Sequence, residues 1–282
     1  MPKLAFIAED LAPGDRRRSP LDPRDLTLVR IAAPDHPDFN EAYQLLWNEF
    51  GAAHEMEDRA VIQERLKWQP IHPAEGRWLR YEMVLVRSGL EAIAVRDQVA
   101  VITSDLGDAR CLVHLSHVWV DPRWRRTGLA AWLRAAPLQT ARAGLFAAGL
   151  SPVSPITLVA EMEHPDEKHE ARQIRLRAYE KAGFLKLDPS VVPYHQPDFR
   201  PVAQIRADSG PRPLPFALIL RRVGQEHETR IPKAEARWVV ESLYRMYSAS
   251  FPSQDMLPLW NAQRGWAAGD GFVDLLKPLE VR

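Results

Sequence analysis

The sequence has almost no cysteine, no excess of either charge and no long apolar run. Among 282 residues only Cys111 is a cysteine, so no disulfide can form within the chain, as in proteins of a reducing cytoplasm. Basic and acidic residues number 37 each, a balance that argues against a general nucleic-acid binder. No apolar stretch reaches the roughly 18 residues of a membrane span. We therefore expect a cytoplasmic protein that binds neither nucleic acid nor membrane.

Proline is abundant, with 24 residues that fall mostly between the periodic segments and mark the loops. Pro137 lies inside a helical pattern and removes a backbone hydrogen bond, which predicts a kink or break near Leu133. Asp38 precedes a helical pattern with Glu41 three residues on, which predicts a capping box. Runs of β-branched and aromatic residues predict strands at 26–31, 81–87, 91–103, 110–120, 155–163, 185–187 and 216–220. Apolar periodicity predicts helices at 38–51, 60–68, 128–150, 172–182, 234–247 and 251–260.

The stretch from 111 to 133 combines a strand, a basic turn and the start of a helix. Val118, Trp119 and Val120 end the strand, and Arg125 to Ala130 form the turn. A glycine-containing basic turn before a helix predicts an anion site, because backbone N–H groups point outward and glycine lets a phosphate approach the main chain.

This segment resembles motif A of the GNAT superfamily of acyl-CoA-dependent N-acyltransferases, (Gln/Arg)-x-x-Gly-x-(Gly/Ala). Arg125, Gly128 and Ala130 fill the three fixed positions. The preceding Val-x-Val-x-Pro strand at 118–122 and the segment YEKAGF at 179–184 also resemble the family.

The resemblance covers roughly residues 27–223 and implies a GNAT fold, which is an α/β fold with a mostly antiparallel central sheet flanked by helices. We then expect an N-terminal arm at 1–26, the acyltransferase domain at 27–223 and a C-terminal helical appendage at 224–282.

The same resemblance implies acetyl-CoA as co-substrate and a primary amine as acceptor. The backbone of Val118, Trp119 and Val120 would bind the pantetheine arm and face the oxyanion, while the two valine side chains can also pack in the core. Tyr179 matches the family tyrosine that protonates the leaving thiolate. The coenzyme pyrophosphate would lie on Arg125, Arg126, Thr127, Gly128, Leu129 and Ala130.

A protonated amine must lose a proton before it attacks the thioester, so a general base is needed. Glu161 falls where some GNAT relatives carry a strand glutamate near the acceptor, and Glu163, His114, His117 or a water are the alternatives. His114 and His117 are three residues apart on a strand, so alternation predicts opposite faces for them. The same alternation argues against a metal site with Cys111, and no metal is expected.

Two further functions stay open beside the N-acetyltransferase. One is a non-catalytic acyl-CoA sensor, although such a binder does not need Tyr179. The other is a protein-interaction module that uses the aromatic residues of 224–282, with a homodimer among its outcomes. The sequence identifies neither the amine nor the length of the acyl chain.

Overall fold

Long antiparallel strands form where the β-branched runs predict them. The computed structural model describes residues 4–17, 21–74, 76–105, 108–266 and 269–281, and the chain divides into two units, 1–156 and 157–282. Residues 1–3 and 18–20 of the predicted arm lie outside the described residues. The first unit contains the strands β1 (Leu26–Ile31), β2 (His72–Ala74), β3 (Arg77–Ser88), β4 (Glu91–Asp105) and β5 (Asp108–Val120), the helices α1 (Pro13–Arg16), α2 (Phe39–Phe50), α3 (Arg59–Leu66), α4 (Leu129–Ala135) and α5 (Pro137–Ala147), and short 3-10 helices at Ala8–Asp10, Pro23–Asp25 and Pro122–Trp124.

The sheet of this unit runs β1–β3–β4–β5, with β2 added to β3, and each of these pairings is antiparallel. On one face Phe50 of α2 packs its ring 5.1 Å from that of His117. On the other face Thr140 of α5 accepts a hydrogen bond from Gln98 at 2.8 Å. Helices thus cover both faces, as the apolar content of the strands requires.

The break at Pro137 is confirmed, and it lies at Ala136, between α4 and α5. Ala136 keeps helical angles (φ −51°, ψ −37°), because proline fits the first position of a new helix without strain. The carbonyl of Leu133, which loses its usual partner, accepts a hydrogen bond of 2.6 Å from Nη1 of the buried Arg96. A strand side chain therefore satisfies the acceptor that the proline leaves open.

The predicted capping box at Asp38 is wrong. Asp38 adopts helical angles and its side chain makes no hydrogen bond to the helix. Instead Nη2 of Arg87 donates to Asp38 Oδ1 at 2.6 Å and also to Glu41. A guanidinium from β3 thus competes successfully with the helix for both carboxylates.

The N-terminal arm is held by buried contacts within the first unit. Arg142 donates to Asp10 at 2.7 and 2.9 Å, and Arg134 donates to Asp15 at 2.8 and 3.2 Å. Leu11 lies in an apolar cluster with residues of α4. Residues 4–17 therefore pack as part of this unit.

The second unit has its own strands and helices, and β9 is the strand on which it is built. β9 pairs antiparallel with β6, β7 and β8, and β11 pairs with β7 and β10. The elements are β6 (Ile156–Met162), β7 (Leu185–Leu187), β8 (Tyr194–Gln196), β9 (Leu214–Arg222), β10 (Arg230–Pro232), β11 (Phe272–Leu276), α6 (Glu170–Lys181), α7 (Val202–Ala207), α8 (Lys233–Ser248) and α9 (Ser253–Trp266).

Two parts of this unit differ from the prediction. The segment 189–215, for which the sequence patterns predict neither a strand nor a helix, contains β8 and α7. The segment 224–282 has the two predicted helices, but it also contributes β10 and β11, with Leu275 opposite Leu187. The strands β8, β10 and β11 are three to five residues long, and such short segments carry little periodicity to indicate them.

The buried face of α6 is not the one that the helical spacing of its apolar residues predicts, which would be formed by Ala171, Ile174, Ala178 and Ala182. Ile174 is 50% exposed, whereas Leu176, Tyr179 and Ala182 are buried. Small alanines do not orient this helix, because the larger Leu176 and Tyr179 side chains gain more from burial.

The mixed α/β class is confirmed. Among the described helices, none combines the length and the apolar character that crossing a bilayer demands.

Candidate active site

The turn from Arg125 to Ala130 joins the end of β5 to α4 through an unusual backbone. Arg126 has φ +66°, a left-handed value that few residues other than glycine adopt, and Gly128 follows with φ +101°. Leu129 begins the helix and is buried. The predicted strand–turn–helix is confirmed as local structure, and Gly128 occupies a conformation in which a side chain would be strained.

The turn presents positive charge to solvent. Arg125 and Arg126 are both exposed, and Nε of Arg125 reaches back to the carbonyl of Val120 at 3.1 Å. The Thr127 hydroxyl donates to the carbonyl of Trp124 at 2.8 Å, which closes the turn. Two exposed guanidinium groups beside a left-handed glycine match the charge of a pyrophosphate and the close approach that it needs.

Val118, Trp119 and Val120 lie on β5 directly before this turn. Their backbone pairs on one side with Arg96, Val95 and Ala94 of β4, in that order. The side chains of Val118 and Val120 pack on a core cluster that includes Leu129 and Leu133. Core packing of these side chains is therefore observed, and a role of the main chain in coenzyme binding is compatible with it.

A β-bulge corrects the predicted directions of the two histidines on β5. Arg96 pairs with Val118 and Gln98 pairs with Leu115, so β5 has one more residue than β4 in this interval. The extra residue reverses the alternation. His114, opposite Val99, and His117, bonded to Asp97, thus lie on the same face, and the prediction of opposite faces is wrong.

His117 is held in a buried network with Asp97 and Tyr81. Its Nδ1 lies 3.0 Å from Asp97 Oδ1, and its Nε2 lies 2.8 Å from the carbonyl oxygen of Glu55. Asp97 also accepts from the His117 backbone N–H at 2.8 Å and from the Tyr81 hydroxyl at 3.0 Å. Because both ring nitrogens face acceptors, each carries a hydrogen, and the ring is an imidazolium.

The charges of this network explain the protonation states. Burial disfavours a charged ring, but Asp97 and the neighbouring Glu57 outweigh it and raise the pKa of His117 to about 9. Burial likewise opposes ionisation of Asp97, yet the positive His117 holds the pKa of this carboxyl below its usual range. His117 therefore has no free nitrogen near neutral pH, which argues against it as the general base.

We expect the stability of the protein to fall as pH rises from about 6.5 to about 9. The pKa of His117 is raised on folding, so its contribution is complete below the unfolded value of about 6.5 and is lost through the folded value of about 9. The full loss is about 3 kcal/mol of unfolding free energy. Urea unfolding at a series of pH values measures it.

The titration of Cys111 sets the upper pH limit for this comparison of unfolding free energies. Burial raises the pKa of its thiol, so this group lowers stability only above the unfolded value of about 8.5. A free energy of unfolding that stays constant between about pH 6.5 and 8.5 would contradict the imidazolium assignment.

Tyr179 lies on α6 in the second unit. Its side chain is 6% exposed, and its ring meets that of Phe184 edge to face with centroids 4.9 Å apart. Gly183, with φ +79°, ends the helix and turns the chain so that Phe184 can make this contact. The YEKAGF segment thus has a defined packing role, and the predicted acid function of the phenol stays a prediction.

Glu161, on β6 of the second unit, is the candidate base with the richest surroundings. The hydroxyl of Tyr194 donates to its Oε1 at 2.5 Å, and the hydroxyl of Tyr247 donates to its Oε2 at 2.5 Å. The amide of Gln196 donates to Oε2 at 3.1 Å. This half-buried carboxylate accepts from β8 and from α8 at once.

Glu163 follows two residues later and is bound differently. Arg172 donates to its two oxygens at 2.6 and 3.1 Å, and Arg175 donates to it at 2.9 Å. Two guanidinium groups thus bind both oxygens of Glu163. These contacts argue against Glu163 as the base, because both oxygens already have charged partners.

Among the described residues, no group of three or more His, Cys, Asp or Glu side chains is placed to hold a metal ion.

Several solved structures are similar to this chain. An aminoglycoside acetyltransferase from an uncultured soil metagenomic sample, in complex with sisomicin, is 15% identical, covers 55% of this chain and 86% of its own, and has a TM-score of 0.35. A GCN5-related N-acetyltransferase from Sphaerobacter thermophilus is 16% identical, with 60% and 44% covered and a TM-score of 0.28. The chain is similar to GNAT acetyltransferases.

The protein yncA of Salmonella typhimurium, with its cofactor acetyl-CoA, is also similar. It is 16% identical, 72% of this chain and 96% of that chain are covered, and the TM-score is 0.34. No protein-family model and no curated protein matches the sequence. With TM-scores below 0.5, these similarities carry no argument about this chain.

The sequence does not reveal the partners of the candidate residues. Asp97 and Tyr81 carry no signal of their own, because a polar residue on an apolar strand does not indicate its partner. Tyr247 ends the helix predicted at 234–247, and it contacts Glu161 from 86 residues away. Tyrosines on a buried helix stripe are a usable signal, since a buried hydroxyl needs a hydrogen-bond partner.

Proposed function

We propose that this chain is a GNAT N-acetyltransferase, which transfers an acetyl group from acetyl-CoA to a primary amine by direct attack in a ternary complex. The observation that carries the proposal is the turn after β5, where left-handed Arg126 and Gly128 present main chain and two exposed arginines. A strained backbone conformation at an exposed turn needs a reason, and coenzyme binding supplies one.

Each candidate residue has a role in this proposal. The turn from Arg125 to Ala130 holds the pyrophosphate, and the backbone at 118–120 holds the pantetheine arm. Acetyl-CoA supplies the acyl group as a thioester. Glu161 takes one proton of the ammonium group, directly or through water, and the neutral nitrogen bonds to the acyl carbon. The carbon–sulfur bond then breaks, Tyr179 gives its proton to the leaving sulfur, and the second nitrogen proton returns to the Tyr179 phenolate through water.

The contacts of His117 and of Glu163 favour Glu161 over these two alternatives. His117 carries hydrogens on both ring nitrogens, and Glu163 is paired with two arginines. Glu161 instead accepts hydrogen bonds from the neutral side chains of Tyr194, Tyr247 and Gln196. A general base must be ionised before it can accept a proton, and hydrogen bonds to a carboxylate favour its ionised form.

The proposal is tested by calorimetric titration of the full chain with acetyl-CoA and with free coenzyme A. Transfer is then followed as free-thiol release with spermidine, tyramine, sisomicin and a lysine-containing peptide as separate acceptors. Micromolar binding together with amine-dependent thiol release supports the enzyme. Binding without thiol release overturns the enzyme and supports the non-catalytic acyl-CoA sensor. No binding up to millimolar concentration also overturns the enzyme and supports the protein-interaction module.

We expect Gly128→Leu to weaken acetyl-CoA binding by about 100-fold, because the side chain blocks the main chain and each lost hydrogen bond to a charged phosphate costs about 1.5–3 kcal/mol. Gly149→Leu is the matched control. Gly149 also has a left-handed φ, +74°, and open space around its Cβ position, so it shares the strain but lies away from the turn. Equal affinities of a folded Gly128→Leu and the wild type in calorimetry would rule out the coenzyme turn.

A further inference from the structure

The hydrogen bonds to Glu161 come from a part of the chain beyond the expected acyltransferase domain. Tyr247 belongs to α8, within the segment 224–282 that the sequence sets apart as an appendage. Its hydroxyl lies 2.5 Å from Glu161 Oε2. The appendage therefore contacts the carboxylate to which the proposed reaction gives the amine proton.

The donors around Glu161 define its orientation. Tyr194 is 2% exposed, and Glu161 Oε1 is the acceptor for its hydroxyl. Gln196 and Tyr247 share Oε2. If Glu161 carried a proton, Tyr194 and Tyr247 would donate to a neutral carboxyl group instead of a charged carboxylate, and hydrogen bonds to a neutral acceptor are weaker. The arrangement favours the ionised carboxylate.

The rings that carry these hydroxyls are themselves fixed by packing. Tyr194 stacks on Tyr244 with centroids 5.3 Å apart, and Tyr247 packs against Phe199 and Phe251 at 5.8 and 5.7 Å. Both phenols are therefore held where they can restrict the rotation of Glu161.

We propose that Tyr194 and Tyr247 are positioning residues that keep Glu161 ionised and oriented, and that the segment 224–282 is thereby part of the active site. This inference rests on the proposed function. Three other sets of titratable side chains lie near Glu161 within its unit: Tyr244, which bonds the backbone of His195, His195 itself, and Glu163 with its two arginines. They are unchanged in the variants used below, except where Tyr244 serves as control.

The first measurement does not depend on catalysis. The full chain is labelled with 13C at its glutamate carboxyl carbons, the Glu161 signal is assigned with Glu161→Gln, and its titration midpoint is followed by NMR. We expect Tyr247→Phe and Tyr194→Phe each to move the midpoint up by about one pH unit, because each removes a hydrogen bond to the charged form.

Tyr244→Phe is the matched control. Tyr244 lies one helical turn before Tyr247, is equally buried at 1% exposure, and directs its hydroxyl to the backbone of His195 at 3.3 Å. Removal of this hydroxyl should leave the midpoint of Glu161 unchanged. Equal midpoints in the wild type and in both test variants, each with a native circular dichroism spectrum, overturn the inference.

The second measurement is the pH dependence of thiol release with whichever of the four amines reacts fastest. The acidic limb of the profile should move by the same amount as the NMR midpoint in Tyr247→Phe and Tyr194→Phe. Transfer with an unmoved acidic limb in both variants overturns the inference alone. Absence of transfer by the wild type overturns the proposed function and, with it, the catalytic meaning of these contacts.

Discussion

Tyr179→Phe is expected to lower the rate of acetyl transfer by about 10²–10⁴-fold, the usual contribution of a general acid or base. The substitution keeps the ring, so the edge-to-face contact with Phe184 at 4.9 Å is retained and the fold is unaffected. The substitution removes the proton donor for the leaving sulfur. Thiol release under saturating acetyl-CoA measures the effect.

The pH profile separates this role from a loss of structure. An acid that must be protonated produces the alkaline limb of the rate profile, and this limb should disappear in Tyr179→Phe while acetyl-CoA affinity stays near the wild-type value. Tyr43→Phe is the control, because Tyr43 has the same exposure of 6% but lies on α2. Equal rates for Tyr179→Phe and the wild type at every pH would exclude the acid role.

Asp97→Asn is expected to lower the free energy of unfolding by about 3–5 kcal/mol near pH 6.5, which is typical when one partner of a buried ion pair is removed. Asp97 is fully buried and accepts hydrogen bonds from Tyr81, from the His117 ring and from the His117 backbone. Asparagine has nearly the same shape, so the loss is that of the negative charge beside the imidazolium.

The variant should also lose most of the stability change between about pH 6.5 and 8.5, because His117 loses the carboxylate that is bonded to its ring and contributes most to holding its proton. Asp22→Asn is the control. Asp22 pairs with Arg24 at the surface, where solvent screens the interaction, and its removal should not change the denaturation midpoint. If both variants unfold at the wild-type urea concentration, Asp97 and His117 do not form a charged pair.

The network of Asp97 and His117 shows why part of the site could not be predicted from the sequence. The bulge at Arg96–Gln98 inserts a single residue into β5 and reverses the direction of His117. The sequence of 108–120 does not indicate this bulge, because the same alternating pattern fits a regular strand. The pairing of β5 with β4 determines the position of the extra residue. As a result, the His117 ring contacts Asp97 and the Glu55 carbonyl.

What the sequence by itself determined is local. It located β1 (Leu26–Ile31) and β7 (Leu185–Leu187) to the residue, the break caused by Pro137, and the turn at 125–130 with its glycine. Each of these follows from short-range backbone sterics and side-chain periodicity, which a few neighbouring residues suffice to specify.

Only the tertiary structure decided which polar groups become hydrogen-bond partners. Asp97 meets His117 across 20 positions of the chain, and Glu161 meets Tyr194 and Tyr247 across 33 and 86. The sequence does not indicate whether a carboxylate will face water, an arginine or two phenols in the folded protein. Its partners depend on which strands and helices pack together, and that packing is governed by the burial of apolar surface over the whole unit.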